Sequence, residues 1–226
     1  MTDLMLVDTD IRLGIDTSTG VSVGVARGRS VLASRSITEP HVHAEQLMVE
    51  VRAALAQAGH DLRDLASIVV GLGPGPFTGL RVGIVTAQTL AYVLGIPMTG
   101  VCSLDALGLA VSGAEGPYVC CSDARRKELY WAVYEAGRRV DGPHVTTPDH
   151  LPHLPVYGPG AGLYPIVHRG RPAPEGPTVL DAGLLAAHRD DLPDAGTEPL
   201  YLRHADATVP GARKSALPAA RPGRPA

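Results

Sequence analysis

The chain has 226 residues, 45% of them hydrophobic and 19% charged, with a formal net charge of −3 at pH 7. That length supports one large domain or two small lobes with real cores. The charge balance gives no electrostatic case for a broad nucleic-acid surface. No run approaches the length of a membrane span, and no basic n-region precedes an apolar stretch at the N-terminus.

Aromatic residues make up only 4%, so alanine, valine and leucine must fill the interior. Three cysteines are present, two of them adjacent (Cys120 and Cys121). An odd number in this context predicts free, buried thiols in a reducing cytosol. As strand neighbours, Cys120 and Cys121 should face opposite sides.

Residues 1–10 read as a loose extension. Three strands follow, over 11–15, 21–27 and 31–37, joined by turns at Ser18-Thr19-Gly20 and Gly28-Arg29-Ser30. A helix over 44–58 places Leu47, Val51, Ala54, Leu55 and Ala58 on one face, with Gly59 as its stop. A strand over 67–72 then enters Gly71-Leu72-Gly73-Pro74-Gly75-Pro76-Phe77-Thr78-Gly79-Leu80-Arg81, a run holding four glycines and two prolines. Such a turn either lets elements pack closely or brings backbone to a ligand.

The ligand reading is the weaker one. Pro74 and Pro76 carry no N–H for an anion, and no Gly-Lys-Ser/Thr ending follows. Gly73, Gly75 and Gly79 also lack dinucleotide-fingerprint spacing. The packing reading has positive support. Along a helix over 78–94, Gly79, Gly83, Ala87 and Ala91 recur every four residues, flanked by Leu80, Ile84, Leu90 and Leu94. They form a shallow stripe on which a second helix could lie. A mid-helix glycine costs roughly 1 kcal/mol against alanine, so Gly83 is there for space. On this reading Gly83→Leu leaves the fold largely intact and blocks association. A helix packed on its own sheet explains the same stripe and competes directly.

Gly95-Ile96-Pro97 ends that helix, a short strand follows, and Ser103-Leu104-Asp105 opens another helix. From Tyr118 the pattern restarts, with strands over 118–122, 128–136 and 140–146. Each half opens with a strand ending in aspartate (Asp16, Asp123), a polar turn and a second strand. This predicts two related lobes, 11–117 and a smaller 118–204. Residues 143–177 are rich in proline and glycine. A helix around 181–188 and the run Glu198-Pro199-Leu200-Tyr201-Leu202-Arg203 come next. The tail 205–226, with Arg213, Lys214, Arg221 and Arg224, is expected to be disordered.

Asp16, Thr17, Ser18 and Asp123 are the candidate nucleotide ligands, since an aspartate ending a strand beside hydroxyls can hold a metal-bound phosphate. Asp and Ser in a turn also bond their own backbone, which fits nearly as well. Arg125-Arg126-Lys127 stands after Asp123, where a phosphate loop would want glycine. His41 and His43 are two apart, unlike a helical metal pair, and capping or solvent contact suits them better. Gly-x-Ser-x-Gly does not occur. No catalytic constellation and no metal set is complete.

At this point the residues resemble a family. Leu13-Gly14-Ile15-Asp16-Thr17-Ser18, His43-Ala44-Glu45-Gln46-Leu47, the run Gly73 to Arg81, Asp123-Ala124-Arg125 and Pro199-Leu200-Tyr201-Leu202-Arg203 are similar to the bacterial TsaB (YeaZ) family of glycoprotease-like proteins. The resemblance covers about 11–203. It implies an α/β, two-lobed ASKHA fold, the actin-like and hexokinase-like architecture, with mixed sheets and flanking helices. It further implies a cytoplasmic, non-catalytic subunit in the formation of N6-threonylcarbamoyladenosine at position 37 of tRNAs reading ANN codons. TsaD would be its catalytic partner, engaged through the first two helices, with the ATPase TsaE joining the pair and tRNA met through the complex. Alone, the subunit would pair with itself. It would carry no cofactor of its own, although ATP or ADP and magnesium could bind at the complex.

Combining stripe and resemblance, the expected partner interface is Leu47, Val51, Ala54, Leu55, Gly79, Leu80, Gly83, Ile84, Ala87 and Ala91. The rival reading is a small ATP-dependent phosphotransferase or ATPase using Asp16 and Asp123. A metallopeptidase fails for want of metal ligands.

Overall fold

Residues 10–38, 43–170 and 173–203 are described by the structure, a computed structural model. The expectations for 1–9, for His41 and the His43 side chain, and for the tail 205–226 lie outside the described residues.

Strands β1 (Ile11–Asp16), β2 (Val21–Arg27) and β3 (Ser30–Ile37) form an antiparallel meander. On the far side of β1, strands β4 (Leu65–Gly71) and β5 (Met98–Val101) add in parallel, giving the order β3-β2-β1-β4-β5. Helices α1 (His43–Ala58) and α2 (Phe77–Leu94) cover one face of this sheet. Strand alternation aims Ile11, Leu13 and Ile15 of β1, with Val21, Val23 and Val25 of β2, at these helices. They join Leu47, Val51, Leu55, Leu80 and Ile84 in one core.

The centre of the opposite face of β1 and β2 carries almost no side chain, at Gly14, Gly24 and Ala26. Helix α4 (Ala182–Ala187) lies directly on it. A Cβ on Gly14 would fall 2.0 Å from the Ala182 carbonyl oxygen, and one on Gly24 2.2 Å from the Gly183 Cα. The Ser22 hydroxyl accepts from the Ala182 N–H at 2.9 Å, and Asp181 caps the helix by accepting from the Gly183 N–H at 2.8 Å.

The second sheet holds β6 (Tyr118–Asp123), β7 (Leu129–Glu135), β8 (Arg138–Thr146) and β9 (Val156–Tyr157) in the order β8-β7-β6-β9. One face carries Tyr118, Cys120, Ala132 and Tyr134 against α4 and helix α3 (Asp105–Ala110). The other carries Val119, Cys121, Trp131 and Val133 beneath Leu151, Ala161 and Val167. Cys120 and Cys121 thus face opposite cores, and all three cysteines are free and buried. Burial pushes the Cys102 and Cys121 thiols up to about 12. The loop-rich stretch after β8 is built from 3-10 turns and the two-residue β9.

Residues 181–203 pack on the second sheet through Leu185 and Leu192, and they also reach the first. Arg12 pairs with Asp190 at 2.8 Å, the Ala195 N–H donates to Gly100 O at 2.9 Å, and the Leu200 N–H to Leu72 O at 2.8 Å. The cause is the glycine face of β1 and β2, which needs a cover. Helix α2, at 18 residues and a mean hydropathy of 1.3, also has the length and apolarity of a membrane span, against the reading that no run approaches one. Here a stripe of buried side chains seats it on the sheet.

Candidate functional site

The turn after β1, the loop leading into α2 and the first turns of α2 form one packed unit. The Thr17 hydroxyl donates to the Gly79 carbonyl at 2.7 Å. A Cβ on Gly83 would fall 2.3 Å from Thr17 Oγ1, and one on Gly75 2.8 Å from the Ser18 Cα. The small-residue stripe is therefore occupied by this chain's own turn, not left open for a second helix. Leu47, Val51, Ala54, Leu55, Leu80, Ile84, Ala87 and Ala91 are likewise buried in the core, with Gly79 and Gly83 among them. These ten residues come together, but inside the molecule. As the expected partner interface they are corrected: α2 packs on its own sheet, and Gly83→Leu would strike Thr17 before it met a partner.

Asp16, Thr17 and Ser18 are all buried, at 1%, 2% and 4% exposure. Asp16 Oδ1 accepts from the Ser18 N–H at 2.8 Å and from its hydroxyl at 2.6 Å. This is the self-bonded turn that competed with the nucleotide reading. The other carboxylate oxygen, Oδ2, has no hydrogen-bond partner among the described residues. It abuts the backbone of β4, where a Cβ on Gly71 would fall 1.7 Å away. The Gly73 N–H donates to the Ser103 hydroxyl at 2.9 Å, fixing the loop beside it. Burial raises the Asp16 pKa, opposed by the neighbouring Ser103 and Ser18 hydroxyls and the Ser18 N–H.

Asp123 stands at the end of β6, part-exposed. It accepts from the Arg125 N–H at 2.8 Å and pairs with the Arg125 guanidinium at 3.1 Å. Among the described residues no hydrogen bond or ion pair joins it to the Asp16 turn. Arg125, Arg126 and Lys127 follow with φ of 60°, 52° and 61°, three successive non-glycine residues in the left-handed region. Also among the described residues, no group of three or more His, Cys, Asp and Glu could hold a metal ion.

A cavity of about 290 Å³ opens elsewhere, between Arg29, Asp105, Ser112, Arg138 and His188. None of the four candidate nucleotide residues lines it. Beside it Asp105, buried, accepts from the Tyr134 hydroxyl at 2.8 Å and from Arg139 Nε at 2.9 Å, tying α3 to the second sheet.

The surface that sequence reasoning missed is the outward face of α2. Val85, Tyr92 and Val93 are 57%, 88% and 73% exposed, and Val49 of α1 is exposed too. Positions 85, 89, 92 and 93 share a helix face by spacing, so the signal was present. A helix apolar nearly all round hid it. At the start of α2, Phe77 stacks on Tyr201 with centroids 5.1 Å apart, and the Arg81 guanidinium lies 3.8 Å from the Phe77 ring centre.

Two sheets that open with the same strand–aspartate–turn–strand unit, with α3 and α4 packed between them, define a two-lobed ASKHA protein. A family model described as "TsaD: tRNA N6-adenosine threonylcarbamoyltransferase" matches residues 33–161. An uncharacterized protein of Mycobacterium tuberculosis is 43% identical over 205 residues, covering 86% of this chain and 92% of its own. The tRNA threonylcarbamoyladenosine biosynthesis protein TsaB of Bacillus subtilis is 35% identical over 125 residues, 54% of each chain. The structure of YeaZ from Pseudomonas aeruginosa superposes with a TM-score of 0.70 at 29% identity, covering 85% of this chain and 100% of that one. The chain belongs to the TsaB/YeaZ family, within the glycoprotease-like group that the TsaD model describes.

Proposed function

We propose that this chain takes part in tRNA threonylcarbamoyladenosine biosynthesis as a non-catalytic subunit. It pairs with a TsaD-type catalytic partner for formation of the threonylcarbamoyl group on N6 of adenosine 37 in tRNAs reading ANN codons. The observation that carries this is the outward face of α2, where Val85, Tyr92 and Val93 stand exposed on an 18-residue apolar helix of which a third is buried. A soluble chain leaves such a face open when a partner covers it. In the absence of that partner the same face pairs two copies of this chain.

The state of the aspartates supports a non-catalytic role over the phosphotransferase reading. Asp16 is wedged under β4, and Asp123 is held by Arg125. The test is light scattering on the chain alone and mixed with the TsaD-type protein of the same organism. A one-to-one species is expected, lost in Tyr92→Ser/Val93→Asp. Two separate species, together with ATP turnover by the isolated chain that Asp16→Ala abolishes, would move the enzyme reading to the front.

A further inference from the structure

We propose that the chain contacts RNA directly, on a surface made by Phe77, Arg81, Tyr201 and the turn Arg125-Arg126-Lys127. The inference rests on the tRNA reading above and gives that reading a second binding surface, at the N-terminal end of α2 rather than along its Val85 to Val93 stretch.

Phe77 and Tyr201 are 44% and 40% exposed although stacked on each other, and Arg81 lies over the Phe77 ring while its Nε donates to the Tyr201 hydroxyl at 3.2 Å. This is a stack of two aromatics and a guanidinium standing at the surface. An unpaired base has a π-face that extends such a stack, whatever its sequence.

The second component is charge. Arg125, Arg126 and Lys127 are all exposed, and all three hold left-handed backbone that glycine would adopt without cost. The turn keeps three cationic side chains at the surface in spite of that strain, and strain of this kind gathers at functional positions. One short segment joins the two components. Tyr201 belongs to the aromatic stack, and Arg203, two residues on, pairs with Glu128 at the end of the cationic turn. The carboxylates Asp123 and Glu128 beside the turn are each engaged by an arginine. The overall charge of −3 does not prevent this, because phosphates are met by local cations. A folded RNA with a single-stranded loop fits both parts, phosphates on the turn and an unstacked base on the rings.

The test is fluorescence anisotropy with a labelled transcript of a tRNA reading ANN codons, titrated into the full chain and into its complex with the TsaD-type partner. Affinity should fall as salt rises, and Arg126→Glu/Lys127→Glu should weaken it by about tenfold or more. Phe77→Ala should weaken it by about fivefold or more without flattening the salt dependence. Light scattering on the same samples reports partner association, which these variants should retain. Undiminished affinity in the charge-reversal variant while the complex still forms overturns the RNA surface alone. A chain that neither joins the partner nor binds the transcript overturns both readings. Equal binding to anionic lipid vesicles, insensitive to Phe77→Ala, would also overturn it, since a membrane needs the charge but not the stack.

Discussion

Thr17 and Gly79 stand 62 residues apart in sequence, and the hydroxyl of one donates to the carbonyl of the other at 2.7 Å. This bond fixes the first turn of α2 onto the end of β1. It also explains the spacing of small residues along the helix, since Gly79 and Gly83 make room for the threonine.

Gly83→Ala should therefore destabilise the fold by about 1–3 kcal/mol, because the added methyl meets Thr17 in a packed interior. The cost should shrink by about 1 kcal/mol on a Thr17→Ala background, where the obstructing hydroxyl is gone. A double-mutant cycle by urea denaturation checks both. Equal costs on the two backgrounds would refute the contact.

Asp16 gives a pH prediction. Its pKa is raised in the folded chain, so the native state holds a proton that the unfolded state has released. Stability contributed by this group is present at low pH and falls as pH rises above 3.8, until the folded-state carboxyl has ionised. Asp16→Asn removes that dependence while keeping an acceptor for Ser18. The difference in unfolding free energy between variant and parent should grow in the variant's favour as pH rises, then level off. A difference that is flat with pH would show that the carboxyl is not perturbed.

Asp105 is an acceptor shared by Tyr134 and Arg139 in a buried setting. Asp105→Ala should cost about 3–5 kcal/mol, since it leaves a guanidinium without its counter-charge. Asp105→Leu combined with Arg139→Met should recover most of that loss. Denaturation midpoints for the single and double variants decide the matter.

The outward face of α2 predicts the reverse pattern. Tyr92→Ser/Val93→Ser should change stability by no more than about 0.5 kcal/mol, as exposed positions do. It should nonetheless remove self-association and binding to a TsaD-type partner. A large fall in the melting temperature would mean that these side chains support the fold itself.

Much of this was legible in the chain. The strand at 11–15, the apolar face of α1 and the restart at Tyr118 gave the elements and their order, and the opposite orientation of Cys120 and Cys121 was legible as well. The stripe on α2 was also legible as a close-packing device, but its occupant was not. Spacing along one helix reports that space is needed, and a threonine in a turn 62 residues earlier leaves no periodic trace. The return of α4 to the first sheet was hidden for a similar reason. Gly14 and Gly24 are single glycines in strands, and only the sheet register places them side by side under Ala182 and Gly183.

That return carries a consequence for how the chain is made. When residue 117 has been synthesised, all five strands of the first sheet exist, together with α1 and α2. The face with Gly14 and Gly24 still has no cover, because its cover lies at 182–187. A fragment ending at 117 would keep exposed sheet backbone and should associate or stay incompletely folded, although its strands are all present. The first lobe is completed only once residues 182–187 have been translated.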